Sequence, residues 1–373
     1  MRKNASITEK SLYSKKLVRR LPWLALIPLG FLLPRLASSF PEATEAVYSR
    51  IIYPAVHFLL SGFSSLFPFS LAEFILYALS AGVIFLTLYQ CIRCIFRRIA
   101  PIRLAGYFLS LFIAAGAMLN LFYFSWGFQY SRPPLSQLMS LPVKERPVEE
   151  LELLCTELAQ TAARLRDKVT ENEDGVFVLS MPLAAYFDAV PDDYARLSQS
   201  EPFFNGKVFP PKCVTASVGL SYAGIAGIFI PFTGESNVNV DQPAMLLISS
   251  AAHEAAHSLG IAREDEANFA AYLACNSSEN PETAYSGVML ALIHCGNQLY
   301  AADGDKYAAL YYSYSAAMLR DMNHYNAYWS SFEGPVDDTF SQINDNYLKF
   351  NQQELGVKSY GAMVDLMLAY RFR

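Results

Sequence analysis

Charged residues are scarce in this chain of 373 residues. They make up 17% of it, whereas 53% of the residues are hydrophobic and 14% are aromatic. A soluble domain carries nearer to about a quarter charged residues, so we expect part of the chain to lie in membrane lipid. The formal net charge of -5, with no basic stripe interleaved with aromatic residues, argues against a nucleic-acid partner.

Cysteine is also uncommon, with 6 in the whole chain. Cys91 and Cys94 form one C-x-x-C pair without a second, so we assign them no metal or redox role. The later cysteines can form disulfides if their part of the chain faces an oxidising space. Their pairing stays open; they are Cys155, Cys213, Cys275 and Cys295.

Three long apolar stretches account for much of the hydrophobic content. They cover residues 21–39, 71–96 and 104–124, and each is close to the roughly 20 residues needed to cross a bilayer. No small-residue cleavage site follows the first, so it is interpreted as an anchor and not as a signal peptide. We predict a membrane domain with three transmembrane helices over residues 21–127.

Basic residues flank these stretches unevenly. One cluster precedes the first stretch (Lys10 to Arg20), and another separates the second from the third (Arg93 to Arg103). Because lysine and arginine concentrate on the cytoplasmic side, residues 1–20 are predicted to be cytoplasmic and everything after the third helix extracytoplasmic. The aromatic-rich segment between the first two helices is then outside, as an interfacial helix or as a loop packed on the outer domain.

The second half of the chain has a mixed pattern. Residues 128–146 contain several prolines and are predicted to be a linker, and residues 147–373 form the extracytoplasmic domain. Helical periodicity appears from about 147 to 170 and from 242 onward, and strands are predicted at 176–180 and within 208–232. This pattern predicts a mainly α, α+β domain with a small sheet.

One motif carries chemistry. His253-Glu254-Ala-Ala-His257 has the pattern H-E-x-x-H. On a helix, residues four apart lie on one face, so both histidines can bind one Zn²⁺ ion. Glu254 is then placed to take a proton from the attacking water as catalytic base. No proline or glycine interrupts the chain between Pro243 and Gly260, which predicts a helix that ends at a glycine cap.

A catalytic zinc takes a third protein ligand. Here the sequence resembles the gluzincin metallopeptidases, whose second helix supplies a glutamate, in some members within Glu-x-x-Ala-Asn/Asp; Glu264, Ala267 and Asn268 match this pattern. The resemblance implies that Glu264 is the third ligand and that Asn268 orients one of the ligands. The gap after His257 is shorter than gluzincins usually have, so Glu266 remains the alternative third ligand.

Two further comparisons frame the motif. Arg263 stands where metzincins have their third histidine, which excludes that class. The chain as a whole resembles the bacterial membrane-protein family catalogued as domain of unknown function 3810 (DUF3810), including Pro68-Phe-Ser, the run from Gly227 to Glu235, and Asn344-Asp-x-Tyr347-Leu-Lys349. That family has been regarded as zinc peptidases, so the resemblance implies a zinc cofactor and a multi-pass protein of the bacterial cytoplasmic membrane.

Peptide hydrolysis also needs a hydrogen-bond donor for the developing oxyanion. Four residues qualify, and we select Tyr347 from the set of His324, Tyr325, Tyr347 and Lys349. A strand within 222–232 is either an edge strand that pairs with an extended substrate or a buried sheet strand. His57 and His294 are expected to be structural, and Glu235 to cap a turn.

These observations predict an α-helical membrane anchor of three spans followed by a zincin-like extracytoplasmic domain. Its small sheet is expected beside the metal helix, which is the helix that carries His253 and His257. The expected activity is zinc-dependent endopeptidase cleavage outside the membrane. Its expected partners are a peptide or protein substrate in the cell envelope and membrane lipid. The alternative is a catalytically inactive zincin-fold receptor or scaffold that binds envelope peptides.

Overall fold

The structure, a computed structural model, describes residues 13–351 and 360–373. Residues 1–12, which include Lys10 of the predicted cytoplasmic terminus, and residues 352–359 lie outside it. Most of the described chain is helical, with one small sheet. The prediction of a mainly helical protein with a small sheet is confirmed.

Three helices of the described chain are long and apolar enough to cross a membrane, over Tyr13–Ser38, Leu71–Ile95 and Pro101–Ser125. The first contains a 3-10 turn, Leu21–Ala25, before helix α1, Leu26–Ser38. We label the second and third α3 and α4. All three predicted apolar helices are thereby confirmed, with their ends shifted by a few residues.

Small residues let α1 and α4 approach closely. A Cβ added at Gly30 would lie 2.6 Å from Leu119 Cδ2, and one added at Gly116 would lie 2.9 Å from Ile27 Cγ1. Asn120 Nδ2 donates to the backbone oxygen of Leu26 at 2.6 Å. Small residues and interhelical hydrogen bonds are the usual means by which helices associate in lipid.

The segment between the first two spans is helical. It runs through Pro41–Ala43, a π-helical stretch Thr44–Ile52 and helix α2, Tyr53–Ser64. Its inward side chains contact the end of α4, as Tyr48 does at Phe124, and the second half of the chain, as Tyr53 does at Ser258. The sequence left open an interfacial helix or a loop packed on the outer domain. The segment is helical, as in the first alternative, and packed on other parts of the chain, as in the second.

The predicted linker also has regular structure. It contains a 3-10 turn, Gly127–Ser131, and the short helix α5, Leu135–Leu138. Leu135 is 1% exposed and belongs to the main hydrophobic core.

Helices dominate the second half of the chain. In order they are α6 Val148–Arg166, α7 Leu183–Ser200, α8 Ser217–Ser221, α9 Ala244–Ser258, α10 Glu264–Asn276, α11 Pro281–Ala302, α12 Gly304–Tyr312, α13 Ala316–Ser330, α14 Pro335–Phe350 and α15 Tyr360–Arg371. The core lies where α9, α10 and α11 pack on one another, with α6 and α15 covering them.

The sheet has three short strands in the order β1-β3-β2. They are β1 Lys212–Cys213, β2 Gly227–Ile230 and β3 Glu235–Val238. β1 runs parallel to β3, and β2 runs antiparallel to it, with Ile230 opposite Glu235 and Gly227 opposite Val238. Within the described residues β2 is therefore an edge strand, and β2 and β3 both contact α9.

The predicted strand at 176–180 is wrong. This stretch makes one isolated bridge, between Glu171 and Phe177. Two backbone hydrogen bonds flank this bridge, from Val178 to Thr170 and from Asn172 to Val176. The Phe177 N–H points away from them and donates to Asp321 Oδ1 at 2.8 Å, so the pairing extends no further.

Candidate metal centre

Helix α9 holds the H-E-x-x-H motif in the middle of the core. Four of its alanines are at most 3% exposed, and their small side chains let the sheet and the neighbouring helices approach the helix closely; they are Ala251, Ala252, Ala255 and Ala256. Because these alanines fill the buried faces, the two histidines and Glu254 are the functional groups that this part of the helix presents to its surroundings.

Gly260 ends the helix and turns the chain back. Its φ of 79° lies in the left-handed region that favours glycine at the C-terminus of a helix. Its N–H donates to the backbone oxygen of His257 at 2.9 Å. A Cβ at this position would lie 2.7 Å from Gln129 Nε2, so the site has no room for a side chain. The turn brings the start of α10 alongside the two histidines.

Three ligand atoms converge at this point. His257 Nε2 and His253 Nε2 are 3.1 Å apart, and His253 Nε2 lies 3.1 Å from Glu264 Oε2. His257 Nε2 and Glu264 Oε1 are 3.8 Å apart. Two ligand atoms that bind the same zinc ion at ordinary distances, with a tetrahedral angle at the metal, are roughly 3.3 Å apart. The types of ligand atom and their spacing therefore fit a zinc ion.

The far side of each imidazole is fixed by the protein. His253 Nδ1 donates to Asn268 Oδ1 at 2.8 Å, and His257 Nδ1 donates to the backbone oxygen of Ile261 at 2.7 Å. With Nδ1 protonated in this way, Nε2 keeps the lone pair that a metal needs. Asn268 thus contacts a predicted ligand, where the sequence placed an orienting residue.

Replacing Asn268 by alanine is expected to lower zinc affinity by about 10–100-fold, because the His253 ring loses the partner that fixes its orientation. Competition with a chromogenic chelator would measure this. Asn276→Ala, on the same helix but exposed, is the control and should bind zinc as the wild type does. Equal affinities in the two variants would mean that Asn268 does not support the ligand.

The two candidates for third ligand point in different directions. Glu264 lies against both histidines, whereas Glu266 Oε1 accepts from the backbone N–H of Leu135 at 2.7 Å and from Arg263 at 3.0 Å. The structure therefore brings Glu264, and not Glu266, to the histidine pair.

Charge couples the three candidate ligand residues. Burial lowers the pKa of His257, but the Glu264 carboxylate outweighs it and raises that pKa to about 9. Burial raises the pKa of Glu264, and the two histidines outweigh this and hold it well below its usual range. Both shifts favour a protonated imidazole paired with a carboxylate, and a metal ion that bound here would displace that proton.

Glu254 is buried beside the ligands. Burial raises its pKa to about 7, although the charges of His253 and His257 and the Phe229 backbone N–H act in the opposite direction. Its Oε2 atom is buried and has no hydrogen-bond partner among the described residues. A buried carboxylate oxygen without a partner is costly, and a bound water or metal-site ligand would satisfy it.

Strand β2 forms the wall against which Glu254 rests. A Cβ added at Gly227 would lie 2.6 Å from both Glu254 Cγ and Glu254 Oε1. Because glycine has no Cβ, the backbone of β2 can approach the Glu254 side chain this closely.

Gly227→Ala is expected to push the Glu254 carboxylate aside. If the centre hydrolyses peptides with Glu254 as its base, turnover should fall by about 10²-fold, since a misplacement of about 1 Å at a catalytic group has effects of that size. Zinc content should be unchanged. Gly219→Ala is the matched control, because an added Cβ there meets nothing within 4 Å. Equal turnover in the two variants would contradict this placement.

Two tyrosines lie close enough to Glu264 for its charge to act on them. The Tyr130 hydroxyl donates to the Tyr347 hydroxyl at 3.1 Å. Burial raises the pKa of each, and the nearby Glu264 charge raises both further. Both phenols are therefore protonated at neutral pH. Because Tyr347 accepts from Tyr130, its own hydrogen remains available to a further acceptor.

The remaining candidates lie in other surroundings. His324 is exposed on α13, Tyr325 contacts the Trp329 ring, and Lys349 pairs with Asp345 on its own helix. His294 lies close enough to His253 for that charge to act on it, and burial is the main reason that its pKa falls to about 4.

His57 and Glu235 make structural contacts. His57 is buried and lies between the Lys207 backbone oxygen and the Ser61 hydroxyl. Glu235 accepts from the backbone N–H groups of Leu71 and Ala72 at 3.0 and 2.7 Å and so caps the start of α3. It caps one of the three helices that are long and apolar enough to cross a membrane, where the sequence suggested the cap of a turn.

Sequence reasoning missed the aromatic residues beside the metal helix. Trp126 follows α4 directly, and its Nε1 donates to the His257 backbone oxygen at 2.8 Å. Trp126 and Tyr130 pack in a buried cluster with Phe229 and Tyr53. The signal in the sequence was the Trp-x-x-x-Tyr spacing at the end of the third apolar stretch, which reads equally well as an ordinary interfacial belt.

Comparison with known proteins gives one match. The family described as a protein of unknown function (DUF3810) matches residues 48–368, a range that includes two of the apolar helices, the sheet and the three ligand residues. Searches of curated proteins and of solved structures found no match. With most of its length matched, the chain belongs to the DUF3810 family.

Proposed function

We propose that this protein is a membrane-anchored, zinc-dependent endopeptidase of gluzincin-like type. The observation that carries the proposal is the convergence of His253, His257 and Glu264, whose ligand atoms all lie within 4.8 Å of one another, beside the buried carboxylate of Glu254. Histidine nitrogens with a carboxylate oxygen are the donor set of many hydrolytic zinc sites, which leave one position for water or substrate.

Each residue has a distinct role in this proposal. Zinc supplies Lewis acidity, which acidifies water and polarises a carbonyl group. Glu254 accepts the proton of the attacking water and delivers it to the leaving amine. Tyr347, supported by Tyr130, donates a hydrogen bond to the oxyanion that develops on the cleaved carbonyl. Asn268 holds His253 in the orientation that binding requires.

The edge strand β2 provides a place for the substrate. The Ala226 and Ile230 backbone oxygens accept from the N–H groups of Asn239 and Gly234, so the even-numbered residues of β2 direct their backbone groups to β3. The backbone groups of Gly227 and Phe229 then face the other edge, where the Phe229 N–H bonds the Glu254 carboxylate. An extended peptide can add to such an edge through main-chain hydrogen bonds. This arrangement favours cleavage within a chain and not only at its end.

The placement of charge sets the proposed topology. The basic clusters favour an N-terminus in the cytoplasm of a bacterial cell, and with an odd number of spans the proposed metal centre is then outside the cytoplasmic membrane. The expected substrate is a peptide or protein of the cell envelope.

The test uses the full-length protein in detergent with a mixture of fluorescence-quenched peptides. Cleavage is expected in the wild type, should disappear when 1,10-phenanthroline removes the metal, and should return on addition of Zn²⁺. Cleavage that continues unchanged after the metal has been removed would overturn the proposal. A zinc-loaded protein that cleaves none of the peptides would favour the receptor alternative.

A further inference from the structure

The helical segment of residues 44–64 has one face packed on the second half of the chain. Tyr53 donates through its hydroxyl to the Ser258 backbone oxygen at 2.8 Å, at the end of the metal helix. Ser61 donates to the Gly234 backbone oxygen at 2.6 Å, at the turn between β2 and β3. These contacts are buried, so the segment is fixed rigidly to the elements that form the metal centre.

The opposite face of the same segment is apolar and exposed. Its side chains, together with Leu66 in the turn that follows the segment, are between 57% and 75% exposed; the others are Ile51, Phe58, Leu59 and Phe63. No Asp, Glu, Lys or Arg occurs from residue 51 to residue 70. An apolar patch of this kind on a soluble surface would be a liability and marks an interaction site.

Continuity with the membrane spans identifies what covers this face. The span α3 begins at Leu71, five residues after Leu66, and its first turns expose Phe74 and Leu76 in the same way. The exposed face of α2 therefore runs directly into a surface that must itself lie in lipid. A helix with one apolar and one polar, packed face that adjoins a span has the character of an interfacial membrane helix.

The metal centre lies directly behind this helix. Besides Tyr53 on Ser258, Trp126 donates to the His257 backbone oxygen from the first position after the span α4. The end of the metal helix is thus bonded both to the end of a span and to the inward face of α2.

The sheet gives a direction to this arrangement. Glu235, the first residue of β3, caps the start of the span α3, and Ile230 is its partner on β2. The Ile230 end of β2 is therefore the end near the membrane. Gly227, which contacts Glu254, is three residues further along the strand, about 10 Å at 3.3 Å per residue.

We infer that the substrate is a polypeptide held in the same membrane by its own transmembrane span, and that it is cut within a few residues of the point where that span leaves the lipid. This inference rests on the proposed function. The lipid-facing helix α2 and the end of α4 fix the metal centre at the membrane surface, and β2 leads an extended chain from that surface to Glu254.

Cleavage in liposomes tests the substrate class. The full-length protein is reconstituted with a synthetic single-span polypeptide that carries a mixed eight-residue segment directly outside its span. A matched substrate has the same segment behind a Gly/Ser linker of about 40 residues. The near segment is expected to be cut at least about 10-fold faster, because the effective concentration at the centre falls with linker length.

The outcomes separate the two proposals. Equal rates for the near and far segments, or faster cleavage of the far one, would overturn the inference and leave the endopeptidase function intact. The same holds if a soluble peptide mixture is cut and the near segment is not. Failure to cut any of the three probes by a zinc-loaded protein would count against the endopeptidase function itself.

Membrane placement is tested without catalysis. Nitroxide labels are attached in liposomes to Leu59→Cys and Phe63→Cys, with Leu153→Cys on α6 as an exposed control, after the accessible native cysteines have been replaced. The first two labels should collide with oxygen more than with a water-soluble nickel chelate, and the control should do the reverse. Water-like behaviour at positions 59 and 63 would overturn the placement of the centre at the lipid surface.

Discussion

Glu254→Gln is expected to retain zinc and to cut peptides about 10²–10⁴-fold more slowly than the wild type, the range that a general base contributes. Glutamine has the shape of glutamate, so it fits the narrow space beside Gly227 and leaves His253 and His257 undisturbed. Its amide cannot accept the proton of the attacking water. The change therefore separates proton transfer from metal binding.

The measurement pairs zinc content by mass spectrometry with the cleavage rate of the quenched peptides. Glu279→Gln replaces an exposed carboxylate just beyond α10 and should leave both quantities unchanged. Wild-type cleavage by Glu254→Gln with zinc still bound would remove Glu254 from the mechanism and with it the peptidase proposal. If every protein tested, including the wild type, binds zinc and none of them cleaves a peptide, the peptide-receptor alternative is favoured.

The parts of the site that sequence could predict are local. The spacing of four residues places His253 and His257 on one helical face, and a glycine near the end of the helical pattern predicts the turn at Gly260. Glu264 lies seven residues after His257, so a single turn is enough to bring it back. Within this short range, helix periodicity and cap chemistry determine the geometry.

The parts that sequence could not predict depend on contacts between distant segments. Tyr130 and Tyr347 are 217 positions apart and meet beside Glu264. Trp126 and the metal helix are separated by 131 positions. Hydrophobic patterns show that such aromatic residues will be buried, but not which of them will meet, because packing is decided by the whole fold.

The sheet was predicted only in part, for a physical reason. β3 has the sequence Glu-Ser-Asn-Val, and all four residues are buried. Two of its polar side chains have partners elsewhere. Ser236 donates to the Glu254 backbone oxygen at 2.8 Å, and Glu235 accepts at the start of α3. A strand whose buried side chains are polar has no hydrophobic alternation, so its sequence does not indicate a strand.

Substitution of the ligands should abolish metal binding, and it distinguishes the two candidate glutamates. The wild type is expected to bind about one zinc per chain, and His253→Ala with His257→Ala about none, since one remaining carboxylate does not hold zinc in a tetrahedral site. Glu264→Gln should weaken zinc binding by more than the about 10–100-fold expected for the loss of an orienting residue. Glu266→Gln should bind zinc as the wild type does.

The Glu264 and Glu266 variants form a matched pair because both residues lie in the first turn of α10 and both changes replace a carboxylate by an amide. The Glu266 side chain accepts from the Leu135 backbone N–H, and the amide oxygen of glutamine can accept the same bond, so folding should be preserved. Circular dichroism would verify this in every variant. If Glu266→Gln loses zinc and Glu264→Gln keeps it, the third ligand is Glu266 and α10 must rotate on metal binding. If neither change affects a bound zinc, the H-E-x-x-H pair finds its third ligand outside this helix, and the gluzincin-like assignment fails.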